Sequence, residues 1–339
     1  MLVIAIVGLS FWKSTTSKSG QNIKIGIVTD LTGPAAYWGE SSQIGAQIAK
    51  TELEKEGYKV DLIFEDYQLD PQKALTSAQK LVEVDGVDGL YAEFNPAAVS
   101  IGSYIKDKNT LFVYDAAVVS PLKDNTNAFK TYLDYQAGCQ AVAEKYKQEG
   151  ITKVGSLKIN LEAGELCQAG VEKVYGKSMF SQSYNLGDTD FKTQMLKFKN
   201  NGVEAIIESG FEGDTLTALK ALKELDYKIP YSTTEDNITE NVKKQYGDML
   251  TGSWTYGFKS VDPSFVAKIK LESSKSLATD YGAALAYTHV KQMVKSLDKG
   301  AGDPSKVSKI MADSPEDNTI RFNKFDNRIA DLTMLIKKQ

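Results

Sequence analysis

Ile23-Lys-Ile-Gly-Ile-Val-Thr-Asp-Leu-Thr-Gly-Pro-Ala-Ala-Tyr-Trp-Gly-Glu40 decides the fold. Ile23, Ile25 and Ile27 alternate with other residues, the period of a strand with one face buried. The strand runs into a Thr32-Gly-Pro34 turn, Trp38 sits on that turn, and a helix is expected beyond it. In an open α/β sheet, ligands bind outside the carboxyl ends of the strands, beside helix N-termini. Trp38 is therefore read as a wall of a small-molecule pocket, against the plainer reading of a core aromatic. The turn lacks the phosphate-cradling glycines of a nucleotide site, because Gly26, Gly33 and Gly39 do not fit G-x-G-x-x-G.

Outward from this stretch, apolar runs alternate with helical periods, the mark of βα units around parallel sheets. The pattern predicts strands over 60–64, 87–92 and 111–114, with helices over 41–56, 71–84 and 97–108 between them. Pro71 opens the second helix, as proline does at a first helical position. A second series follows, with strands over 153–157, 179–184 and 205–208 and helices over 136–148, 162–174, 190–200 and 215–225. Two series imply two doubly wound lobes with a cleft between them. One long amphipathic helix is expected over 281–297, returning to pack on the first lobe, and a short strand over 331–337.

The chain has 339 residues, enough for about two domains. Its content of 42% apolar and 25% charged residues is ordinary for a globular protein. A formal charge of −4, with lysines scattered among glutamates, argues against nucleic acid. The single histidine, His289, lies in a helical stretch and is read as structural; a lone histidine supports neither a zinc site nor a Ser-His-Asp set. Cys139 and Cys167 fit no metal spacing and are either buried free thiols, the reading slightly favoured, or one disulfide. Residues 1–12 are apolar and 13–20 polar, so residues 1–22 are expected to be an export signal or anchor with its linker, rather than a buried strand.

Several further segments, taken in order, carry a resemblance. They are Asp66-Tyr-Gln-Leu-Asp-Pro71, Asp188-Thr-Asp-Phe191 through Gly202-Val-Glu-Ala-Ile-Ile207, Ala283-Ala-Leu-Ala-Tyr287 and Phe322-Asn-Lys-Phe-Asp-Asn327. Together with the opening stretch they cover nearly everything after residue 22. The chain resembles the type I periplasmic binding proteins, in particular the branched-chain amino acid (Leu/Ile/Val) solute-binding family of ABC transporters. The resemblance implies an α/β fold of two doubly wound parallel-sheet lobes joined by a three-strand hinge. One lobe would hold residues 23–134 plus 257–318, the other 135–254 plus 322–339. It also implies capture of a small ligand by hinge closure, a permease and ATPase as partners, an extracytoplasmic place and a monomer.

Carried over residue by residue, the family's site is partly kept. The indole wall matches Trp38. The hydroxyl that receives a ligand carboxylate falls at Asn95, whose amide can donate in its place; Asn95 is equally placed to cap the helix that follows. The G-A-T/S loop falls at Ala116-Ala117-Val118, leaving only main-chain groups at Ala116 and Val118. A second-lobe tyrosine falls near Ala163, which cannot supply its contact. A second-lobe aromatic matches Phe211, and the acid that holds an ammonium matches Glu235. Asp115, ending its strand at the cleft, is a candidate cation binder. If Asn95 and Glu235 hold the two charges, the ligand is an amino acid, and Glu235→Ala is expected to weaken it more than tenfold. No cofactor, metal or catalytic set is expected. A ligand-sensing module of the same fold is the alternative to transport, and a nicotinamide-dependent enzyme of doubly wound fold is the less favoured one.

Overall fold

The computed structural model describes residues 20–177, 179–258, 263–272, 280–313 and 334–338. Two parallel sheets form the two lobes. The first has the order β2-β1-β3-β4-β5, built from β1 (Asn22–Thr29), β2 (Lys59–Asp66), β3 (Gly89–Glu93), β4 (Leu111–Asp115) and β5 (Ala128–Lys130). Its connections are α1 (Ala36–Lys55), α2 (Pro71–Gln79) and α3 (Phe94–Ile105). β3 and β4 are buried along their whole length, as central strands covered by helices on both faces must be. Ile25, Ile27, Tyr91 and Val113 lie in one core layer, with Val28, Leu90 and Phe112 in another on the opposite face.

The second sheet repeats the design with the order β7-β6-β8-β9: β6 (Val154–Ile159), β7 (Phe180–Tyr184), β8 (Ala205–Ser209) and β9 (Tyr231–Ser232). Its helices are α4 (Tyr135–Gln148), α5 (Glu162–Tyr175), α6 (Lys192–Asn200), α7 (Glu212–Glu224) and α8 (Glu240–Tyr246). The chain then enters β10 (Trp254–Phe258) and returns to the first lobe through α9 (Pro263–Glu272), α10 (Asp280–Gly300) and α11 (Pro304–Asp313). β11 (Met334–Lys338) pairs antiparallel with β10. A bridge between Thr234 and Tyr256 ties β10 to the second lobe.

The long amphipathic helix expected over 281–297 is α10, and it packs on α1. The two backbones approach so closely that a Cβ on Gly45 would lie 1.9 Å from the Ala283 carbonyl oxygen, so only glycine fits there. Ser42 closes the same contact, donating to the Gly282 carbonyl at 3.1 Å.

Four features depart from the sequence reading. Cys139 and Cys167 are joined in a disulfide, which corrects the preference for free thiols; α4 and α5 cross closely enough to bring their Cα atoms to 5.2 Å. The first helix opens at Ala36, five residues early, because the Asp30 carboxylate accepts from the Gly33 and Ala35 amides (2.5 and 2.7 Å) and folds the turn tightly. The second helix ends at Gln79 and widens into a π-turn over Lys80–Val84. β5 and β9 are too short for any period to show. The expected signal or anchor and the closing segment Phe322–Asn327 lie outside the described residues, apart from residues 20–22; of the last expected strand, 334–337 are described, within β11.

Candidate functional site

The carboxyl ends of β3, β4, β6 and β8 face one another across a cleft. Phe94, Asn95, Asp115, Ala116, Ala117, Tyr132 and Tyr135 line one side, and Ile159, Leu161, Ala163, Gly210 and Phe211 the other. Contacts between the lobes frame it. The Phe94 and Phe211 rings meet edge to face with centroids 5.5 Å apart, a favourable geometry for two aromatic quadrupoles. Tyr37 donates to Asn237 Oδ1 at 3.3 Å, and Ser120 to Glu162 Oε2 at 3.1 Å.

Of the residues singled out from sequence, Asn95, Ala116, Phe211 and Asp115 line this cleft. Asn95 does not cap its helix. Its Oδ1 accepts from the amides of Ala117 (2.9 Å) and Val118 (3.3 Å), bracing the loop after β4. Backbone amides only donate, so the side-chain carbonyl must face them and the Asn95 NH2 is the end left for a ligand. The same bonds occupy the Ala117 and Val118 amides. Val118 itself is fully buried, and its carbonyl accepts from Tyr114 at 3.1 Å.

Trp38 is buried behind the cleft rather than lining it. Its indole stacks edge-on against Phe94 and Tyr132, both at 5.9 Å, and so supports two residues that do line it. The early start of α1 turns the indole inward. Glu235 also stands outside the lining. It opens a short 3₁₀ turn, and its carboxylate faces the backbone of Gly257 in β10. Its neighbour Asp236 reaches further in, accepting from Tyr132 Oη at 2.6 Å. Phe94, Tyr132 and Tyr135 were not anticipated. Phe94 follows a strand end, which is a readable signal; Tyr132 lies in a crossover with no periodic pattern, and Tyr135 opens α4.

Phe94 has a backbone φ of 69°. This is a left-handed conformation that a bulky residue adopts only where its surroundings enforce it. Such a residue at a cleft is a functional pointer, since the strained backbone aims the ring at Phe211.

Beneath the cleft lie buried acids. In the first lobe, Glu93 accepts from Thr29 and Tyr91. Asp115 accepts from Thr131 and Tyr91, and His289 Nδ1 stands 3.7 Å from its Oδ1. Burial pushes both carboxyls up, Asp115 well above the usual range, and holds the His289 pKa down at about 3. In the second lobe, Glu208 accepts from Tyr184 (3.0 Å) and Thr215 (3.2 Å). Burial raises Glu208 to about 8 and Asp214 to about 6. Gly210 lies over this group: a Cβ there would sit 2.1 Å from both Tyr184 Oη and Glu208 Oε1. No group of three or more His, Cys, Asp and Glu suited to a metal occurs among the described residues. No helix among them is long and apolar enough to cross a membrane.

Residues 22–328 match the periplasmic binding protein family. The leucine-, isoleucine-, valine-, threonine- and alanine-binding protein of Pseudomonas aeruginosa is 23% identical over 327 residues, covering 91% of this chain and 86% of the relative. The Leu/Ile/Val-binding protein of Escherichia coli is 22% identical over 306 residues, covering 86% and 83%. Among solved structures, an ABC-transporter solute-binding protein of R. palustris in complex with 4-hydroxybenzoate superposes with a TM-score of 0.82 at 18% identity, covering 94% of this chain and 93% of that one. The branched-chain amino acid transporter substrate-binding protein of Streptococcus pneumoniae, in complex with isoleucine, gives 0.82 at 16% identity, covering 94% and 96%. The two parallel-sheet lobes, the cleft at their strand ends and the match over residues 22–328 lead to one conclusion: the chain belongs to the periplasmic binding protein family.

Proposed function

We propose that this protein is the extracytoplasmic solute-binding component of an ABC importer, and that it captures an amino acid with an apolar side chain between its lobes. The observation that carries the reading is the cleft itself. Both lobes contribute to it, its walls are mostly aromatic and aliphatic, and a few polar groups converge on it. The Asn95 NH2 and the N-terminus of α3 are placed for a ligand carboxylate. The names of the P. aeruginosa and E. coli relatives support an amino acid. No step of chemistry is required of the site, and the family resemblance is to proteins that bind and release.

A second reading is an aromatic carboxylate. Four aromatic side chains, Phe94, Tyr132, Tyr135 and Phe211, line the cleft, and the R. palustris neighbour holds 4-hydroxybenzoate. Thermal-shift screening of the twenty amino acids against a set of benzoates separates the two. Saturation at a hundred times Kd stabilises by about 2.7 kcal/mol. Apolar amino acids should raise Tm and benzoates leave it unchanged; the reverse result installs the second reading, and a flat response to both sets overturns capture of either class.

A further inference from the structure

We propose that Tyr37 is a positioning residue for solute capture: its hydroxyl clasps the second lobe at Asn237, favours closure of the cleft by itself, and slows the release of whatever the cleft holds. The proposal rests on capture between the lobes, as read above, and not on which ligand is captured.

Tyr37 lies in the first turn of α1, which the Asp30 carboxylate starts early. Its neighbour Trp38 packs against Phe94 and Tyr132. Tyr37 reaches the other way, across to the second lobe, where its Oη donates to Asn237 Oδ1 at 3.3 Å. Asn237 is buried in the 3₁₀ turn after β9. Its Nδ2 donates to the Gly210 carbonyl (2.8 Å) and to Thr233 Oγ1 (3.2 Å). Both of those acceptors belong to the second lobe. An amide NH2 fixed in this way turns its carbonyl oxygen toward Tyr37, so the acceptor is set in place before the lobes meet. The Glu212 backbone amide, at the start of α7, faces the same phenol. Burial, with Asp236 and Glu212 nearby, pushes the Tyr37 pKa well up, so the phenol keeps the proton it donates.

The contacts across the cleft differ in what a ligand does to them. Phe94 and Phe211 both line the cleft, so a ligand bears on their contact directly. The bond from Ser120 to Glu162 is exposed, and water competes for it. Tyr37 and Asn237 stand outside the lining, and their bond is half-buried. That bond forms on closure irrespective of what the cleft holds. Through Gly210, which does line the cleft, it also joins the first lobe to the wall that carries Phe211.

A contact made only when the lobes are closed multiplies the closed-to-open ratio by one factor, in the free and in the occupied protein alike. A ligand leaves through the open form, so its release slows by that factor whatever its chemistry. One hydrogen bond of this kind corresponds to about threefold or more.

Two measurements test this. Lys123→Cys and Lys220→Cys place one nitroxide label on each lobe; the native cysteines are joined to each other and stay unlabelled. Double electron–electron resonance on the ligand-free protein should give a closed and an open population, and Tyr37→Phe should lower their ratio about threefold. An unchanged distribution overturns the clasp whatever the ligand. Stopped-flow release, followed by tryptophan fluorescence, is then measured for leucine and for 4-hydroxybenzoate, each where calorimetry shows binding to wild type. A bound ligand should leave Tyr37→Phe about threefold faster and arrive no more slowly, and two bound ligands should share one factor. An unchanged release rate, or factors that differ severalfold, overturns the role of Tyr37 and leaves solute capture standing. If neither ligand binds wild type, those two ligand assignments fall and the resonance ratio alone decides the clasp. Asn237→Ala, which removes the acceptor from the other lobe, should reproduce the shift and leave Tyr37→Phe little to add; full additivity overturns the pairing.

Discussion

Glu93 and Glu208 occupy equivalent places in the two lobes. β3 and β8 are each third in their sheets, in the orders β2-β1-β3 and β7-β6-β8, and each ends near a fully buried glutamate below the cleft. Hydroxyl groups satisfy both, Thr29 and Tyr91 for Glu93, Tyr184 and Thr215 for Glu208. The layers above them differ. In the first lobe Phe94 follows directly and takes a strained left-handed backbone to reach the cleft. In the second lobe Ser209 and Gly210 intervene, Gly210 packs directly over Glu208 with no room for a Cβ, and Phe211 reaches the cleft with φ −117°. The neighbours differ too, since His289 and Lys130 lie beside the first pair of acids, whereas Glu208 has a second acid, Asp214, nearby. The same position in the same architecture thus gives an acid linked through Tyr91 to Asp115 on one side, and an acid sealed beneath glycine on the other.

The helix pairs behind the sheets make a parallel contrast. α4 and α5 are stapled by Cys139–Cys167, while α1 and α10 rely on the close approach at Gly45. The largest expected effect breaks the staple. Cys139→Ser with Cys167→Ser opens a loop of sequence separation 28. The change should cost about 3.5 kcal/mol, read from urea unfolding without reductant. A loss below about 1 kcal/mol would mean that packing alone holds α4 to α5.

Next is the pH response of the second lobe. The folded pKa of Glu208 is about 8, above its unfolded value, so its contribution is complete at low pH and is lost as pH rises toward 8. The slope for an isolated group is at most about 1.4 kcal/mol per pH unit. Urea midpoints of wild type should therefore fall from pH 5 to pH 8, and those of Glu208→Gln should fall less. Parallel curves would show that Glu208 is not the group that titrates. His289 acts with the opposite sign. Its folded pKa of about 3 lies below the ordinary value, so stability is lost as pH falls from about 6.5 toward 3.

Gly45→Val tests the other helix pair, since its side chain would collide with the α10 backbone. Overpacking of this kind should destabilise by about 2 kcal/mol, read by thermal melting. Phe94→Ala removes the ring that meets both Trp38 and Phe211. Affinity for the ligand found by thermal screening should fall about tenfold, roughly 1.4 kcal/mol. Phe211→Ala should do the same if the two rings act together, and a large difference between them would assign the contact to one lobe. The smallest effect is expected at Glu235→Ala, with affinity changed less than threefold by calorimetry, because that carboxylate lies outside the cleft lining. A tenfold loss would restore Glu235 as the ammonium group.

The order of the elements was legible because strand and helix periods are local. Ile23, Ile25 and Ile27 announce β1, and Ala286, Val290, Met293, Val294 and Leu297 mark the packed face of α10. Trp38 was placed on the right segment but at the wrong depth, since the Asp30 carboxylate tightens the turn and brings the indole into the helix. Asn95 was read as a donor to ligand or a cap; its bracing of the loop at Ala117 and Val118 depends on a contact 22 residues away. Tyr132 lies in a crossover without a pattern and is fixed by Asp236, 104 positions later.

The sequence by itself determined two series of βα units, hence two parallel sheets with ligand-binding ends, because burying every second or every third and fourth residue leaves a local trace. Only the tertiary structure decided which strand ends face each other, that Cys139 meets Cys167, and that Asp115 shares its surroundings with Glu93 and His289. Those outcomes depend on distances between residues far apart in the chain. Burial, which moves each acid's proton affinity, exists only after the lobes have closed around them.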